Sequence, residues 1–373
     1  MYTNVTRLPI EKRIDWLFNL ADRHGATFRG PDAWLARKRY LAEHPTAIAV
    51  LKCMDGRINL PVMTNTPPGI LMPFRNLGGA FDLGWPYLGE VLSHHVQGWV
   101  NSGRRVLFLV TYHFSKGDPH RGCAGFNYDT EAAYTHTQVI RRQMQQIFGA
   151  EHATIYPLIC GIETDEDTII VHGKNGEKLD MSTVKPEERT TLEPRLAALL
   201  PDMPAQMRAD LLPLLYGNLD TIARVREQTA RHERLLDIEH REWMICVGRG
   251  FDFLHTPNLA LIIGPYSPNL DVPIGKAAGI IQANMRSGRI PDDGFLLLAS
   301  VPYMEIGMDK ARAELKSLFL TRFAAEVIRM EHPELAEKMF IRTAVLDWQS
   351  RTLETVTEKL TSEDRSEITA ASF

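Results

Sequence analysis

The chain has 373 residues, of which 44% are hydrophobic and 24% are charged. Its length predicts two or three domains, and its apolar content is ordinary for a globular protein with real cores. The net charge is −4, and no block of Lys or Arg stands out. The composition therefore argues against a surface for nucleic acid or for anionic membranes.

The N-terminal region carries no export or membrane signal. Residues 1–18 lack the apolar segment of a secretory leader, and later apolar runs fall short of the roughly 20 residues that a membrane helix needs. We therefore expect a soluble, cytoplasmic protein without a membrane partner. Apolar residues at helical spacing, with Pro31 where a first helical turn tolerates it, predict a helical segment over residues 1–45.

From residue 46 onward, buried strands alternate with helices, which predicts an α/β unit with a mainly parallel sheet. The acidic run 163–168 is interpreted as a solvated turn between strands rather than as a cation site. Residues 185 to about 242 are expected to be helical and polar. The predicted strands are 46–53, 104–113, 153–162 and 168–173, and the predicted helices between them are 84–103 and 130–149.

A second strand-bearing block begins near residue 242 and resembles the first in its apolar runs and in their spacing, which suggests a duplication. Val247 falls near the position of Cys53, and Pro302 or Tyr303 falls near that of His113. We therefore expect no Cys/His site in the second block.

The four cysteines divide into two kinds. Without an export signal, metal binding or burial is a better explanation for them than disulfide bonds. Cys160 and Cys246 lie within apolar, strand-like runs, so we interpret them as buried, inert thiols. Cys53 and Cys123 stand beside glycine and charged residues, at the end of an apolar run or in a loop, where a ligand would be placed.

A candidate zinc site follows from these positions. Cys53 and His113 each end a predicted strand, where open α/β sheets place their ligands. With Cys123 they supply two thiolates and one imidazole, a ligand set typical of catalytic zinc that leaves a fourth position for water. His120, three residues before Cys123, is the alternate ligand; we favour His113 because a strand end holds a ligand more rigidly than a loop does.

Asp55 and Arg57 alternate with Cys53, so on an extended chain all three side chains point the same way. The pair is either an ordinary salt bridge at the end of a strand or a functional dyad, and its position beside a candidate ligand favours the second interpretation. No glycine-rich phosphate loop follows the first strand, which argues against nucleotide binding.

Several motifs resemble those of a known family. Residues 53–57 (CMDGR) resemble the Cys-x-Asp-x-Arg element of β-class carbonic anhydrases, and residues 73–79 (PFRNLGG) resemble the Arg-Asn element that follows it. The closer resemblance is to the carboxysomal shell carbonic anhydrases, a divergent β class, through residues 112–124 (YHFSKGDPHRGCA). It covers most of residues 46–300. In that family the zinc histidine lies in the Tyr-His-Phe-Ser stretch, which supports His113.

The resemblance implies a β-carbonic-anhydrase-like, mainly parallel sheet flanked by helices, followed by a degenerate second copy. The expected domains are the helical segment 1–45, a catalytic zinc domain with a helical linker at 46–235, and the degenerate domain at 236–373. Phe126 departs from the family pattern, which has a histidine there, and this change could alter substrate access near the zinc loop.

The resemblance also implies an activity, carbonate dehydratase, a zinc-dependent lyase. Zn²⁺ held by Cys53, His113 and Cys123 would give a zinc-bound hydroxide that hydrates CO₂ reversibly to bicarbonate. Asp55 and Arg57 would be catalytic: Asp55 would accept a hydrogen bond from the hydroxide, and Arg57 would keep Asp55 ionised and away from the metal. The alternatives are hydrolysis of carbonyl sulfide or carbon disulfide at the same site, and a catalytically silent zinc scaffold.

The expected partners are CO₂ or bicarbonate and further copies of the chain, in a homo-oligomer built from dimers. The resemblance also raises association with a carboxysome shell or with Rubisco. Helical signals begin by residue 10, so we do not expect the long disordered N-terminal extension that tethers the carboxysomal enzyme. The expected location is the cytoplasm, or a carboxysome within it.

Overall fold

Two β-sheets flanked by helices follow a pair of N-terminal helices, α1 (Ile10–Arg29) and α2 (Pro31–Glu43). The computed structural model describes residues 5–151, 154–231, 239–251 and 258–357. Within these ranges, none of the helices combines the length and apolar character needed to cross a membrane. The predicted α/β class is confirmed.

The first sheet has six strands in the order β2-β1-β3-β4-β5-β6. Its first four strands are parallel, and β5 and β6 run antiparallel. The strands are β1 (Ala47–Cys53), β2 (Leu71–Asn76), β3 (Val106–Phe114), β4 (Ile155–Glu163), β5 (Thr168–His172) and β6 (Lys178–Asp180), with helices α3 (Leu60–Met63), α4 (Pro86–Asn101) and α5 (Thr130–Phe148).

Every residue of β1 is buried. Ala49 and Leu51 belong to one apolar cluster, and Ile48 and Val50 belong to another. Because alternate residues of a strand point to opposite faces, the two clusters lie on the two sides of the sheet. A strand covered on both faces reads as one continuous apolar run, which is why β1 was predictable.

Two helices connect the sheets, α6 (Leu192–Leu199) and α7 (Ala205–Ala230). The buried amide of Asn218 on α7 donates to the carbonyls of Met63 (3.1 Å) and Asp167 (2.7 Å) and accepts from the N–H of Ile169 (3.0 Å). The connecting segment is therefore fastened to the first sheet.

The second sheet repeats the topology of the first. Its order β8-β7-β9-β10-β11 matches β2-β1-β3-β4-β5, and in both sheets the last of these five strands is antiparallel to its neighbour. This agrees with the predicted second copy. The elements are β7 (Met244–Val247), β8 (Ala260–Ile263), β9 (Phe295–Tyr303), β10 (Met339–Asp347) and β11 (Thr352–Thr355), with α8 (Asp271–Arg286), α9 (Met308–Glu331) and α10 (Pro333–Ala336).

The acidic run 163–168 differs from its prediction. It forms the turn between β4 and β5, as expected, but Glu163 is fully buried. Its carboxylate accepts hydrogen bonds from the N–H groups of Lys116, Asp165 and Glu166. The prediction of a solvated turn is therefore wrong for Glu163, because main-chain donors replace water around its charge.

The two sheets meet beside the end of β1. The N–H of Ile262 donates to the carbonyl of Met54 at 2.8 Å, and Asp55 forms an isolated bridge with Leu261. A Cβ atom added to Gly56 would lie 2.3 Å from the carbonyl oxygen of Ala260. The turn after β1 is thus clamped by main-chain contacts against β8, and only glycine fits at its tightest point.

Candidate metal centre

Three side chains converge where β1 and β3 end. Cys53 is the last residue of β1, His113 lies one residue before the end of β3, and Cys123 follows in the next loop. One ligand atom from each lies within 4.8 Å of the others, and all three residues are buried. Parallel strands bring their carboxyl ends to one edge of a sheet, so this convergence follows from the topology.

The loop that carries Cys123 is anchored by the acidic turn. Asp165 accepts hydrogen bonds from the hydroxyl of Ser115 (2.8 Å) and the N–H of Gly117 (2.7 Å), and Glu163 accepts from the N–H of Lys116 (3.1 Å). These contacts fix the start of the loop to the neighbouring strands. The acidic run therefore positions the loop that holds Cys123.

A close approach of two glycines fixes the other end of this loop. A Cβ atom on Gly125 would lie 2.6 Å from the Cα of Gly78, and Gly78 itself adopts a left-handed φ of 69°. A side chain at either position would push the loop away from the end of β2. The glycines of the RNLGG element thus let Cys123 approach the sheet.

The chemistry of the cluster suits a soft divalent metal. Both ring nitrogens of His113 are buried and have no hydrogen-bond partner among the described residues. A hydrogen bond between the two sulfurs raises the pKa of Cys53 and lowers that of Cys123. Buried imidazoles normally have a hydrogen-bond partner, so one that has none among the described residues and faces two thiols is suited to bind a metal. Zinc fits these residues.

Asp55 and Arg57 form a buried ion pair beside this cluster. The guanidinium of Arg57 donates to Asp55 through Nε (3.1 Å to each carboxylate oxygen) and Nη2 (2.6 Å), and the N–H of Arg57 adds a bond of 2.9 Å. Burial acts to raise the pKa of Asp55, but the charge and hydrogen bonds of Arg57 outweigh it and hold that pKa well below its usual range. Asp55 is therefore ionised at neutral pH.

A histidine from the second half of the chain contacts the arginine of this pair. His240 Nε2 lies 3.1 Å from Nη2 of Arg57, and its Nδ1 lies 2.9 Å from Oε1 of Glu242. A guanidinium only donates, so in this contact Nε2 is the acceptor and the imidazole proton lies on Nδ1, facing Glu242; the two protons of Nη2 are shared with Asp55 and the carbonyl of Arg121. Glu242 is fully buried, and Asn284 donates to its other oxygen at 3.2 Å. Arg57 is thus held from both sides.

Arg75 has a structural position in the site. Its guanidinium donates to the carbonyls of Cys53 (3.1 Å), Asp55 (2.8 Å) and Ile58 (3.0 Å). These bonds fix the main chain of the turn that follows β1. The contacts favour a turn-stabilising role for this residue.

The alternate ligand lies apart from the three clustered residues. His120 is exposed, and its ring packs edge-on against Tyr128 with 5.1 Å between the ring centroids. Its N–H donates to the side chain of Asp118. The geometry therefore brings His113, and not His120, together with the two cysteines, while the role of any of them as a ligand remains a prediction.

Comparison with known proteins agrees with the resemblance found in the sequence. Residues 85–186 match the family model described as Carboxysome Shell Carbonic Anhydrase, catalytic domain. Over this stretch the chain is similar to the carboxysome shell carbonic anhydrases. The matched stretch contains His113 and Cys123, whereas Cys53, Asp55 and Arg57 lie before it.

Curated carboxysome shell carbonic anhydrases give the same result. The protein of Hydrogenovibrio crunogenus is 27% identical over 247 residues, that of Prochlorococcus marinus 27% over 259, and that of Halothiobacillus neapolitanus 26% over 253. These matches cover 57%, 60% and 57% of this chain and 46%, 50% and 49% of the relatives. The chain thus spans about half the length of the carboxysome shell carbonic anhydrases that it matches.

His240 and Glu242 were not singled out by the sequence analysis. They alternate directly before the apolar run that becomes β7, much as Asp55 and Arg57 alternate directly after β1. That alternation was the available signal. The alternation does not indicate that His240 contacts Arg57, because the two residues are 183 positions apart in the sequence.

Proposed function

We propose that this protein is a zinc-dependent carbonic anhydrase that converts CO₂ and water reversibly to bicarbonate and a proton. The observation that carries the proposal is the buried group of Cys53, His113 and Cys123, with both nitrogens of His113 unpartnered among the described residues. The names of the relatives support the reaction. These three residues would hold the zinc ion.

When bound, zinc supplies the Lewis acidity that lowers the pKa of a water toward about 7 and so provides a nucleophile at neutral pH. Asp55, ionised and next to the cluster, would accept a hydrogen bond from that nucleophile and so orient it toward CO₂. Because Asp55 would then be the group in contact with the reacting atoms, we propose the catalytic role for it.

Arg57 acts through Asp55. Its two-pronged donation keeps the carboxylate ionised and fixes its orientation. Nη2 of Arg57 also donates to the carbonyl of Arg121 at 2.6 Å, which ties the dyad to the loop that carries Cys123. His240 and Glu242 hold Arg57 from the far side. These three are positioning residues.

The proposal is tested by measuring zinc content and CO₂ hydration in the variants Cys53→Ala and Cys123→Ala. We expect both to lose most of the zinc and nearly all of the activity, because each removes a ligand of a three-residue set. Cys160→Ala is the matched control: it removes a buried cysteine of the same sheet that lies outside the cluster. Full zinc and full activity in either ligand variant would refute the proposal.

Two further comparisons sharpen the test. His113→Ala is expected to behave like the cysteine variants, and His120→Ala like the wild type; the reverse result would make His120 the ligand. If carbonyl sulfide or carbon disulfide is hydrolysed faster than CO₂ is hydrated, that compound and not CO₂ is the substrate. Bound zinc without turnover would favour the scaffold alternative, although a scaffold has no need of a buried Asp–Arg pair.

Carboxysome association and assembly are part of the proposal, supported by the words "carboxysome shell" in the names of the relatives. The domain division at residues 45 and 235 and the dimer-based oligomer stay predictions. Co-purification with shell proteins or Rubisco tests the carboxysome association, and light scattering of the purified protein tests the dimer-based oligomer.

A further inference from the structure

A cavity of about 470 Å³ lies away from the metal centre, between the N-terminal helices, the β1–β2 edge of the first sheet and the β10–β11 turn. None of the three clustered residues, and neither member of the Asp55–Arg57 pair, is among its lining residues. Phe28, Leu71 and Trp348 contribute to a mainly apolar wall. Its volume is in the range of small-molecule sites.

The charged residues of this cavity are all cations. Arg37, Lys52, Arg249 and Arg351 line it, and none of the lining residues within the described ranges is an Asp or a Glu. Two of the four cations have hydrogen-bond partners. Lys52 donates to the carbonyl of Ile58 at 3.2 Å, and Nη2 of Arg249 lies 2.7 Å from Nε2 of His95. The other two arginines each have a donor without a partner among the described residues.

Arg351 is 7% exposed, and its Nη1 has no hydrogen-bond partner in the part of the chain that the structure describes. Its guanidinium carbon lies 3.5 Å above the ring centroid of Trp348 and 5.1 Å from that of Phe28. The nearby carboxylate of Asp347 accepts instead from the hydroxyl of Ser350 and the N–H of Gln349. The guanidinium is therefore packed against aromatic rings and, among the described residues, forms no ion pair with a carboxylate.

Arg37 presents a second unsatisfied donor to the same space. Its guanidinium carbon lies 3.6 Å from the ring centroid of Phe28, and Nη2 donates to the carbonyl of that residue at 2.8 Å. Nη1 of Arg37 is buried and, like that of Arg351, unpartnered among the described residues. Phe28 is thus in contact with both guanidinium groups.

The two arginines repel each other across the cavity. Burial, and then the positive charge of Arg37, lower the pKa of Arg351 to about 9, and the charge of Asp347 acts in the opposite direction. A buried cation without a partner is costly, and an arginine fork satisfies a carboxylate with two parallel hydrogen bonds. An anion placed between the two arginines would relieve both the repulsion and the missing bonds.

We propose that this cavity binds a small organic carboxylate with an apolar body, its carboxylate held by Arg37 and Arg351 and its body lying on the aromatic and aliphatic wall. The apolar wall argues against a small, fully hydrated anion as the ligand, and the pair of unpartnered arginine donors argues against an uncharged one. The site is independent of zinc and of CO₂ hydration.

The test is isothermal titration calorimetry of the full-length protein with decanoate below its micelle concentration. We expect saturable binding of one decanoate per chain. Decanol, which lacks the charge, and inorganic phosphate, which lacks the apolar body, are each expected to bind at least 10-fold more weakly. Absence of saturable decanoate binding, or equal affinity for decanol or phosphate, would overturn the proposal.

Variants locate the site. Arg351→Asn, with a residue that tolerates the left-handed φ of 57° at this position, is expected to weaken decanoate at least 10-fold, and so is Arg37→Gln on the less buried side. Arg29→Gln is the matched control: Arg29 donates to the carbonyl of Ser350 and to Thr352 but does not line the cavity. An equal loss in Arg29→Gln, or none in the two cavity variants, would contradict the assignment.

Discussion

The two sheets share one strand order but differ in what their strand ends carry. In the first sheet, β1 ends in Cys53 and the eighth residue of β3 is His113; in the second, β7 ends in Val247 and the eighth residue of β9 is Pro302. The same strand order therefore forms with or without Cys and His at these positions, because main-chain ladders and apolar packing hold the sheet, whereas a metal site would need particular side chains.

The second sheet nevertheless contributes to the site. Its β8 clamps the turn after β1, and His240 and Glu242, just before β7, hold Arg57. The comparison is thus between a half that would carry the chemistry and a half that supports it. Each of the following predictions tests one side of that contrast.

Removal of the metal gives the largest expected effect. Chelation should abolish CO₂ hydration, and re-addition of zinc should restore it. By hydrogen exchange, protection should fall around residues 53–57 and 113–123, because the ligands lose their common partner. Residues 295–303 of β9 are the internal control and should not change. Equal loss of protection in β9 would mean that the metal supports both halves alike.

Asp55→Asn comes next. The neutral side chain keeps its size but not its charge, so we expect CO₂ hydration to fall at least about 100-fold while zinc stays bound. Asp309→Asn is the control from the second half, where a carboxylate also accepts from main-chain N–H groups. If the Asp55→Asn variant retains its activity, the Asp55–Arg57 pair is a structural salt bridge and not a catalytic one.

The halves should also differ in their response to acid. Burial, and then the charges of Lys178 and Arg141, lower the pKa of His172 on β5 to about 4, and no strand of the second sheet contains a histidine. Between pH 6.5 and 4 the unfolded chain binds a proton that the folded chain excludes, so stability is lost as the pH falls.

The variant His172→Gln should remove this contribution, which is on the order of 3 kcal/mol when fully lost. The measurement is urea unfolding of wild type and variant at pH 7.5 and pH 4.5, with the difference between the two proteins as the readout. Identical losses in both proteins would show that His172 does not titrate in this window.

A single added Cβ atom should weaken the contact between the two halves. Gly56→Ala forces a Cβ against the carbonyl of Ala260, and we expect a loss of about 1–3 kcal/mol in unfolding free energy. Gly98→Ala on α4 is the control: nothing lies within 4 Å of its added Cβ, so it should stabilise the protein by about 0.5–1 kcal/mol. Unchanged stability of Gly56→Ala would mean that the clamp is looser than described.

The smallest effect is expected from the supporting histidine. His240→Ala should lower kcat about 10-fold with KM little changed, because Arg57 loses one of its fixed contacts. His240→Gln should recover much of the loss, since an amide can accept from Arg57 and donate to Glu242. His332→Ala, which removes a histidine of the second half, should leave activity intact. Failure of the glutamine variant to rescue would argue against this role.

The parts of the fold that could be predicted are those with a local pattern. Buried strands such as β1 and β3 are continuous apolar runs, so the positions of Cys53 and His113 at their ends followed from the sequence. The edge strand β2 was missed because Pro73 interrupts its pattern, and a proline is tolerated at an edge, where an N–H can go unpaired.

Strands β10 and β11 were missed as well. The first half of β10 is only partly buried, and β11 has four residues, so neither gives the continuous apolar run that identified β1. Contacts between distant segments were predictable only where strand ends share one edge of the sheet, as for Cys53 and His113. The bond between His240 and Arg57 and the cavity lined by Arg37 and Arg351 both depend on how distant segments dock, and no local spacing encodes that.

The clamp between β8 and the turn after β1 is made from the atoms that every residue shares. The N–H of Ile262 donates to the carbonyl of Met54, and beside it the N–H of Gly264, just after β8, donates to the carbonyl of Arg75 on β2. Such bonds do not depend on which side chain is attached. Where the second half acts through its backbone, its side chains can change without loss of this contact, so the shape of a duplication can outlast its sequence similarity.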